Sequence, residues 1–278
     1  MSDLYRDIRK NRLILEKRRP WKEETERQLL EWETGNFIYS CLFLDGKNLS
    51  REAVQAIVSG ELVKQASFAD YATAQGLETA TNYLRKLTGG PETPSGPKTE
   101  YDRLPTEAEF CLLWCFLEGK TEAEARKVWD GKTHYRTLSP VVHALSHVPC
   151  HFSELPEKMT ALYAWLKKTC ADEFVNPVAL AAEFHNRVLA LYPFESHNED
   201  LAKLAAEAVL LAYGYPLVPW SMTEQEYYDA GRSYLASIEA ERYDEDGFAA
   251  GSAPLREMLE TLVHRCQTVE LAATEQTA

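Results

Sequence analysis

Apolar residues recur every three or four positions along most of the chain, which is the spacing of one face of an α-helix. The pattern predicts a first helix that ends at Pro20 and a second from about Trp21 to Leu44. The end of the second helix, NFIYSCLFL, is apolar on all sides, so we expect it to enter the core. Ser50 is a candidate N-cap for a third helix, and a longer helix is expected from about Ser67 to Leu87.

A stretch rich in glycine and proline, TGGPETPSGPKT, covers Thr88 to Thr99 and is the clearest linker in the chain. Its composition favours turns, and it offers nothing apolar to bury. The sequence therefore predicts an N-terminal helical module in residues 1–99, a core in residues 100–245 and a C-terminal helix in residues 246–278.

Helical periodicity continues after this linker. Thr106 is a candidate N-cap for the helix in EAEFCLLWCFLEG, and Asn176 followed by Pro177 is a typical helix start. Further helices are predicted in TEQEYYDAGRSYLASIEA and in PLREMLETLVHRCQTVELAA. The segment THYRTLSPVVHALSHVP differs, because its prolines and β-branched residues favour a β-hairpin or an extended flap. The predicted fold class is all-α with this small flap.

The charge balance excludes one class of partner. The chain has 278 residues, 45% of them hydrophobic, and a formal net charge of −13. Proteins that bind nucleic acid neutralise its phosphates with a basic surface, so no nucleic acid is expected as a partner. The charged N-terminus and the short, interrupted RLILEKRR segment predict neither a signal peptide nor a membrane span. We therefore expect a cytoplasmic protein.

The cysteine and histidine patterns predict no metal site. Because the cysteines are scattered along the chain, we expect free and mostly buried thiols. They are Cys41, Cys111, Cys115, Cys150, Cys170 and Cys266. His143 and His147 are four residues apart, but Pro140 and Pro149 favour extended structure, in which the two imidazoles would not share a helix face. His185 is expected to be a hydrogen-bonded core residue.

The stretch YPFESHNEDLAK, from Tyr192 to Lys203, lies between two alanine-rich helical segments. It is similar to the central motif of the Fic family, HPFx[DE]GNGRxxR, and it keeps Pro193, Phe194 and Asn198. The helix after the motif and the GYP that follows it also resemble the family layout, over roughly Leu104 to Tyr228. Fic proteins typically transfer AMP from ATP to a hydroxyl group of a target protein. The resemblance implies a Fic-like helical core.

Two other segments resemble parts of the same family. The flap after GKTHYR resembles the hairpin on which the target protein docks. Its implied docking residues are Val141, Val142, His143, Ala144 and Leu145. The segment CLFLDGKNLS resembles the family's inhibitory helix, [ST]xxxE[GN], with Cys41, Asp45 and Gly46 at the three defined positions. We expect Asp45 to form an ion pair with Lys203, between the N-terminal module and the core.

Most chemical positions of the family motif are changed in this chain. Tyr192 stands where the family has its general base, and a phenol with an ordinary pKa of about 10 is a poor base near neutral pH. Ser196 stands where the family has the acid that holds Mg²⁺, and Glu195 could substitute only if the loop shifted by one residue. The other replacements are His197 and Glu199 for two glycines, Asp200 for the first arginine and Lys203 for the second. Acids in this loop disfavour a triphosphate.

The same residues also permit structural interpretations. Ser196 and Glu199 form the S-x-x-E pattern of a capping box, in which each side chain bonds a backbone N–H of the other's residue. Asn198 is either a helix cap or a retained ligand contact. His197 is a displaced base, part of a new ligand pocket, or neither.

Three functions are compatible with these observations. The first is a Fic-like scaffold that binds a protein partner or a ligand through the former active-site groove and the flap. The second is a transferase that moves AMP or another nucleotide-linked group to protein hydroxyls, with ATP or another donor and Mg²⁺ as cofactors. The usual AMP transferase comes third, because so many motif positions differ. A homodimer is compatible with each of them.

Overall fold

A computed structural model describes residues 3–88, 99–128, 134–140, 148–221 and 251–275 of the chain. These residues contain ten α-helices and no strand. In chain order the helices are α1 (Asp3–Lys17), α2 (Glu23–Leu44), α3 (Arg51–Val58), α4 (Phe68–Thr88), α5 (Glu107–Leu117), α6 (Glu122–Val128), α7 (Leu155–Cys170), α8 (Pro177–Leu191), α9 (Asn198–Ala212) and α10 (Ala253–Glu275). The predicted all-α class is confirmed.

Some sequence predictions fall outside the described residues. The flap residues from Val141 to Leu145, most of the linker and the helix predicted in TEQEYYDAGRSYLASIEA are among them. The division of the chain at residues 99 and 245 also stays a prediction.

The predicted helix starts are confirmed by their capping hydrogen bonds. The Ser50 hydroxyl accepts a bond from the backbone N–H of Ala53 at the start of α3. Thr106 and Glu109 form a reciprocal capping box at the start of α5. The Asn176 side chain accepts two backbone bonds, and Pro177 occupies the first turn of α8. Each cap satisfies N–H groups that would otherwise have no partner within the helix.

Helix α9 lies in the centre of the fold. It packs most extensively against α8, and α4 covers another of its faces. Almost every residue of α9 is buried, including the charged side chains of Asp200, Lys203 and Glu207. A charged group inside a protein needs a partner because leaving water is costly. The contacts of these three side chains therefore define the chemistry of the core.

The two ends of the described chain pack together, because α1 lies against α10. Arg18 donates a hydrogen bond to the carbonyl of Leu271 at 2.8 Å, and the Gln267 amide donates to the carbonyl of Ile8 at 3.2 Å. The apolar end of α2 is buried, as its sequence predicts. All the cysteines are free thiols, which confirms that prediction. No helix in the described residues has the length and apolar character needed to cross a membrane.

Candidate functional site: the loop between helices α8 and α9

The loop that carries the motif has a left-handed residue at each end. Tyr192 closes α8 with φ 48° and ψ 59°, and His197 precedes α9 with φ 56° and ψ 22°. A side chain at positive φ is unfavourable, and glycine adopts this conformation most readily. His197 stands at a position where the resembling motif has glycine, so the loop keeps a glycine-like backbone with a histidine side chain on it.

Phe194 anchors this loop in the core. Its side chain is fully buried, and its ring stacks on Trp114 with ring centroids 5.4 Å apart. The rings of Phe110 and Tyr135 also contact it, at 6.2 and 5.8 Å. Phe194 is therefore a packing residue, and the loop is fixed to α5 whether or not any reaction takes place.

Asn198 closes the loop on itself. Its Oδ1 accepts a hydrogen bond from the backbone N–H of Phe194 at 3.0 Å, and its Nδ2 donates to the carbonyl of Phe194 at 2.8 Å. The residue is buried. The Asn198 side-chain amide thus bonds both backbone polar groups of Phe194 and holds the loop closed.

Ser196 does not form the predicted capping box. The hydroxyl donates to the carboxylate of Glu118 and accepts a bond from the indole N–H of Trp114 at 3.1 Å. Helix α9 begins at Asn198, and its N-cap, His197, makes no capping bond through its side chain. The prediction is wrong because the helix starts later than a cap at Ser196 requires and a charged acceptor attracts the hydroxyl more strongly than a backbone N–H does.

A buried cluster of charges occupies the first turn of α9. The ammonium of Lys203 lies 3.1 Å from one carboxylate oxygen of Asp200, and the His197 Nδ1 lies 3.7 Å from the other. The His197 Nε2 faces Glu118 at 3.5 Å. Lys203 is fully buried, and Asp200 is nearly so. We call His197, Asp200 and Lys203 the α9 charge cluster.

Electrostatics within the α9 charge cluster favour the charged forms. Burial alone would raise the pKa of Asp200, but attraction to Lys203 and the polar contact with His197 outweigh it and lower that pKa. The contact with Asp200 raises the pKa of His197 against the opposing effect of burial, and the charges of Asp200, Glu118 and Asp45 add to the rise. An internal carboxylate thus balances the cations at this helix start.

The segment that resembles an inhibitory helix, at the end of α2, lies near the α9 charge cluster. Asp45 caps the C-terminus of α2, and Gly46 follows with φ +74°. Asp45 is exposed overall, but partial loss of water contact at its carboxylate and repulsion from the nearby Asp200 raise its pKa to about 6. The charge of Lys203 acts in the opposite direction on Asp45. Lys203 forms an ion pair with Asp200, and the direct ion pair between Asp45 and Lys203 stays a prediction.

The remaining motif side chains are poorly suited to the family's chemistry. Partial burial raises the pKa of Tyr192 further, and repulsion from Glu199 adds to it, so the phenol keeps its proton near neutral pH. Cys41 is fully buried, and burial raises the pKa of its thiol well above the usual value. Glu195 is exposed, and its carboxylate accepts a bond from the Thr137 hydroxyl at 3.4 Å.

Sequence reasoning missed Arg136, which is only 2% exposed and lies beneath the loop. Its guanidinium donates to the carbonyls of Tyr192 at 2.8 Å, Leu138 at 3.1 Å and Leu191 at 3.4 Å, and also to that of Cys150. In the sequence, Arg136 is one arginine in a polar segment. Nothing in its spacing indicates burial.

Among the other histidines, His185 behaves as the sequence predicts. His185 is fully buried, bonds Asn186 at 2.9 Å and stacks on Trp220, and burial lowers its pKa to about 4. It is a core residue. His143 and His147 lie outside the described residues. Within the part of the chain that the structure describes, no three histidine, cysteine or acidic side chains are placed to hold a metal ion.

Comparisons with known proteins support the resemblance. Residues 118–210 match the model of the Fic/DOC family. A protein named protein adenylyltransferase Fic, from Nematostella vectensis, is 31% identical over 83 residues, which are 30% of this chain and 19% of that protein. The chain thus matches only about a fifth of the length of that relative.

Solved structures of low sequence identity share the fold. A Fic domain containing signaling protein from Bacteroides thetaiotaomicron has a TM-score of 0.75 and 20% identity, covering 99% of each chain. Fic-1 from C. elegans, residues 134–508, has a TM-score of 0.72 and 17% identity, covering 99% of this chain and 73% of its own. A Fic family protein from Desulfovibrio desulfuricans has a TM-score of 0.62 and 15% identity, covering all of this chain and 77% of its own.

Proposed function

We propose that this chain, whose residues 118–210 match the Fic/DOC family model, is a divergent Fic protein that uses the motif loop and the predicted flap to bind a protein partner or a ligand, and that it no longer transfers AMP in the family's usual way. The observation that carries this proposal is the α9 charge cluster. Where the family motif presents arginines to a triphosphate, this chain has Asp200 and Lys203 paired at 3.1 Å. The Asp200 carboxylate therefore already neutralises the charge of Lys203.

Charges around the loop also act against a triphosphate. Asp45, Glu118, Glu195 and Glu199 stand near the α9 charge cluster and add negative charge. Two unit charges about 4 Å apart interact by about 1 kcal/mol in bulk water and about 4 kcal/mol at an effective dielectric of 20. Bound Mg²⁺ would offset part of this repulsion, but Ser196 replaces the family's metal-holding acid, and its hydroxyl is engaged with Glu118.

A protein partner fits the same features. The loop anchor, Phe194, is fully buried and stacks on Trp114, which supports a motif loop that keeps its shape without the family's original chemistry. Fold alone does not fix function. We further propose that the protein works in the cytoplasm, as a monomer or a homodimer, and that the predicted flap residues Val141 and Val142 contribute to docking.

A transferase with altered chemistry is the second candidate, and His197 favours it. Its imidazole lies between Glu118 and Asp200, and its pKa is raised from the ordinary histidine value. Two carboxylates that orient an imidazole are typical of a group that moves protons. In this case ATP or another nucleotide-linked donor would bind with Mg²⁺, and the exposed Glu195 would be a candidate carboxylate for the metal.

Thermal unfolding against a ligand panel separates the two candidates. The panel contains nucleoside triphosphates, nucleotide sugars and dinucleotides, each with and without Mg²⁺. A ligand at 100 times its dissociation constant adds about 2.7 kcal/mol to the free energy of unfolding, a shift of a few degrees for a chain of this size. We expect no shift with any donor. A specific shift would favour the transferase and name its substrate class, and the transfer assay below would then show whether the bound donor reacts.

An autotransfer assay with the same labelled donors provides the second arm. Its control is a variant with alanine at Tyr192, Glu195 and His197. Label incorporation that is present in the native chain and lost in this variant would support the transferase. A scaffold predicts no incorporation in either protein, together with a partner interaction that is lost when Val141 and Val142 are both changed to aspartate.

A further inference from the structure

One buried arginine joins three separate parts of the candidate site. The guanidinium of Arg136 bonds the carbonyls of Leu191 and Tyr192, where α8 ends and the motif loop begins. It also bonds the carbonyls of Leu138 and Cys150, which lie on either side of the predicted flap. These bonds hold both ends of residues 138–150 against the motif loop.

The backbone of Arg136 strengthens the same connection. Its N–H donates to the carbonyl of Pro193 at 2.9 Å, so main chain and side chain both contact the loop. The next residue, Thr137, contacts Glu195 through its hydroxyl at 3.4 Å. The segment before the predicted flap therefore follows the motif loop from Tyr192 to Glu195.

The chemistry of these contacts requires arginine. The carbonyl groups at the C-terminus of a helix carry the negative end of its dipole, and α8 presents the carbonyl of Leu191 to the guanidinium. A guanidinium has five N–H donors in a planar fork, whereas a lysine ammonium is a single compact charge. Tyr192 has a left-handed backbone conformation. The hydrogen bond that Arg136 donates to the Tyr192 carbonyl stabilises this conformation.

We propose that Arg136 is a positioning residue that sets the spacing between the motif loop and the described residues 138–140 and 148–150, and thereby the shape of the candidate site at this loop. The inference stands apart from the proposed function, because it concerns only contacts within the chain.

Amide hydrogen exchange of Arg136→Lys tests the positioning role. The matched control is Arg187→Lys, which changes a partly buried arginine of α8 whose ion pair with Glu183, at 2.7 Å, lies away from the loop. Loss of hydrogen bonds to a charged donor should accelerate exchange by about tenfold to a hundredfold at residues 134–140, 148–150 and 191–196. Exchange in α4 and α10 should not change, and the control should leave the loop peptides as in the native chain.

Arg136→Ala with added methylguanidinium provides a second readout. If the planar guanidinium of Arg136 positions the loop, millimolar methylguanidinium should restore slow exchange in the loop peptides, whereas methylammonium should not. Unchanged loop exchange in Arg136→Lys, or faster exchange throughout the chain, would overturn the positioning role.

Discussion

Helix α9 carries buried charge at both ends, and the two ends stabilise it by different means. At the start, Asp200 and Lys203 pair at 3.1 Å with His197 nearby, so fixed charges compensate one another. Towards the other end, Glu207 accepts bonds from the Trp220 indole at 2.7 Å and from the backbone N–H of Val218, and no cation among the described residues forms an ion pair with it.

Two more buried acids surround that second end. Glu33 of α2 pairs with Arg85 at 3.1 Å, while the Oε2 of Glu270 on α10 has no hydrogen-bond partner among the described residues. Burial raises the pKa of Glu33, and it raises those of Glu207 and Glu270 well above the usual value. We call these three side chains the α9 acid cluster. The raised pKa values of Glu207 and Glu270 favour their protonated forms, so the two ends of one helix should respond differently to mutation and to pH.

The largest expected effect is at the charge cluster. Lys203→Met should lower the free energy of unfolding by about 3–5 kcal/mol, because it leaves Asp200 buried without its cation. Denaturant unfolding measures this effect. Lys158→Met is the control, since that lysine forms an exposed ion pair with Glu154 and should change stability by at most about 1 kcal/mol.

The double variant Asp200→Asn with Lys203→Met sharpens this test. Removing both charges leaves no uncompensated ion, so stability should recover much of the loss caused by Lys203→Met alone. A double variant as unstable as the single one would show that Lys203 acts through packing rather than through its charge.

An effect of opposite sign is expected at the acid cluster. A carboxyl group whose pKa is raised on folding contributes stability that is present below its unfolded pKa and is lost as pH rises towards the folded pKa. Glu270→Gln removes that dependence and should stabilise the protein by about 1–3 kcal/mol near pH 8, with little effect near pH 4.

Thermal or denaturant unfolding across this pH range measures the difference. Glu257→Gln, an exposed change on the same helix, should leave the native pH dependence intact. A Glu270→Gln variant that is less stable than the native chain near pH 8 would show that the carboxyl makes favourable contacts as an anion.

The smallest effect is expected at Asp45, because that side chain retains contact with solvent. Its pKa is raised to about 6, so its contribution to stability falls as pH rises from the ordinary value of 3.8 to about 6. Asp45→Asn should therefore stabilise the protein above that range by less than about 1 kcal/mol.

In Asp45→Asn, His197 should still produce a second pH-dependent change in stability. His197 has a raised pKa, so its contribution is present below its unfolded pKa and is lost as pH rises through the folded value. Melting temperatures measured across both ranges should show the lower step reduced and the upper one retained. Loss of both steps would mean that Asp45 and His197 titrate as one unit.

The helices and their caps could be predicted from sequence because their causes are local. Ser50, Thr106 and Asn176 bond backbone groups within three residues, so spacing alone identifies them. The burial of Phe194 and His185 was also predictable. Phe194 is the apolar residue of the motif, and His185 lies in the apolar helical segment that precedes it.

The polar contacts of the site were less predictable because their partners are distant in the chain. Ser196 bonds Glu118, and Arg136 bonds carbonyls near residue 191, so neither contact follows from local spacing. Glu33, Glu207 and Glu270 come from three helices and read as ordinary surface acids in sequence. Lys203 was expected to pair with Asp45, yet its ion pair with Asp200 lies within one helical turn.

The left-handed backbone at His197 has a consequence for protein engineering. Because φ there is already 56°, a glycine could replace this histidine without moving the main chain. The barrier to rebuilding an anion site in this loop therefore lies in side-chain charge, and the backbone path needs no redesign. A library of variants at positions 196–203 would therefore test which side chains restore anion binding while the rest of the chain is unchanged.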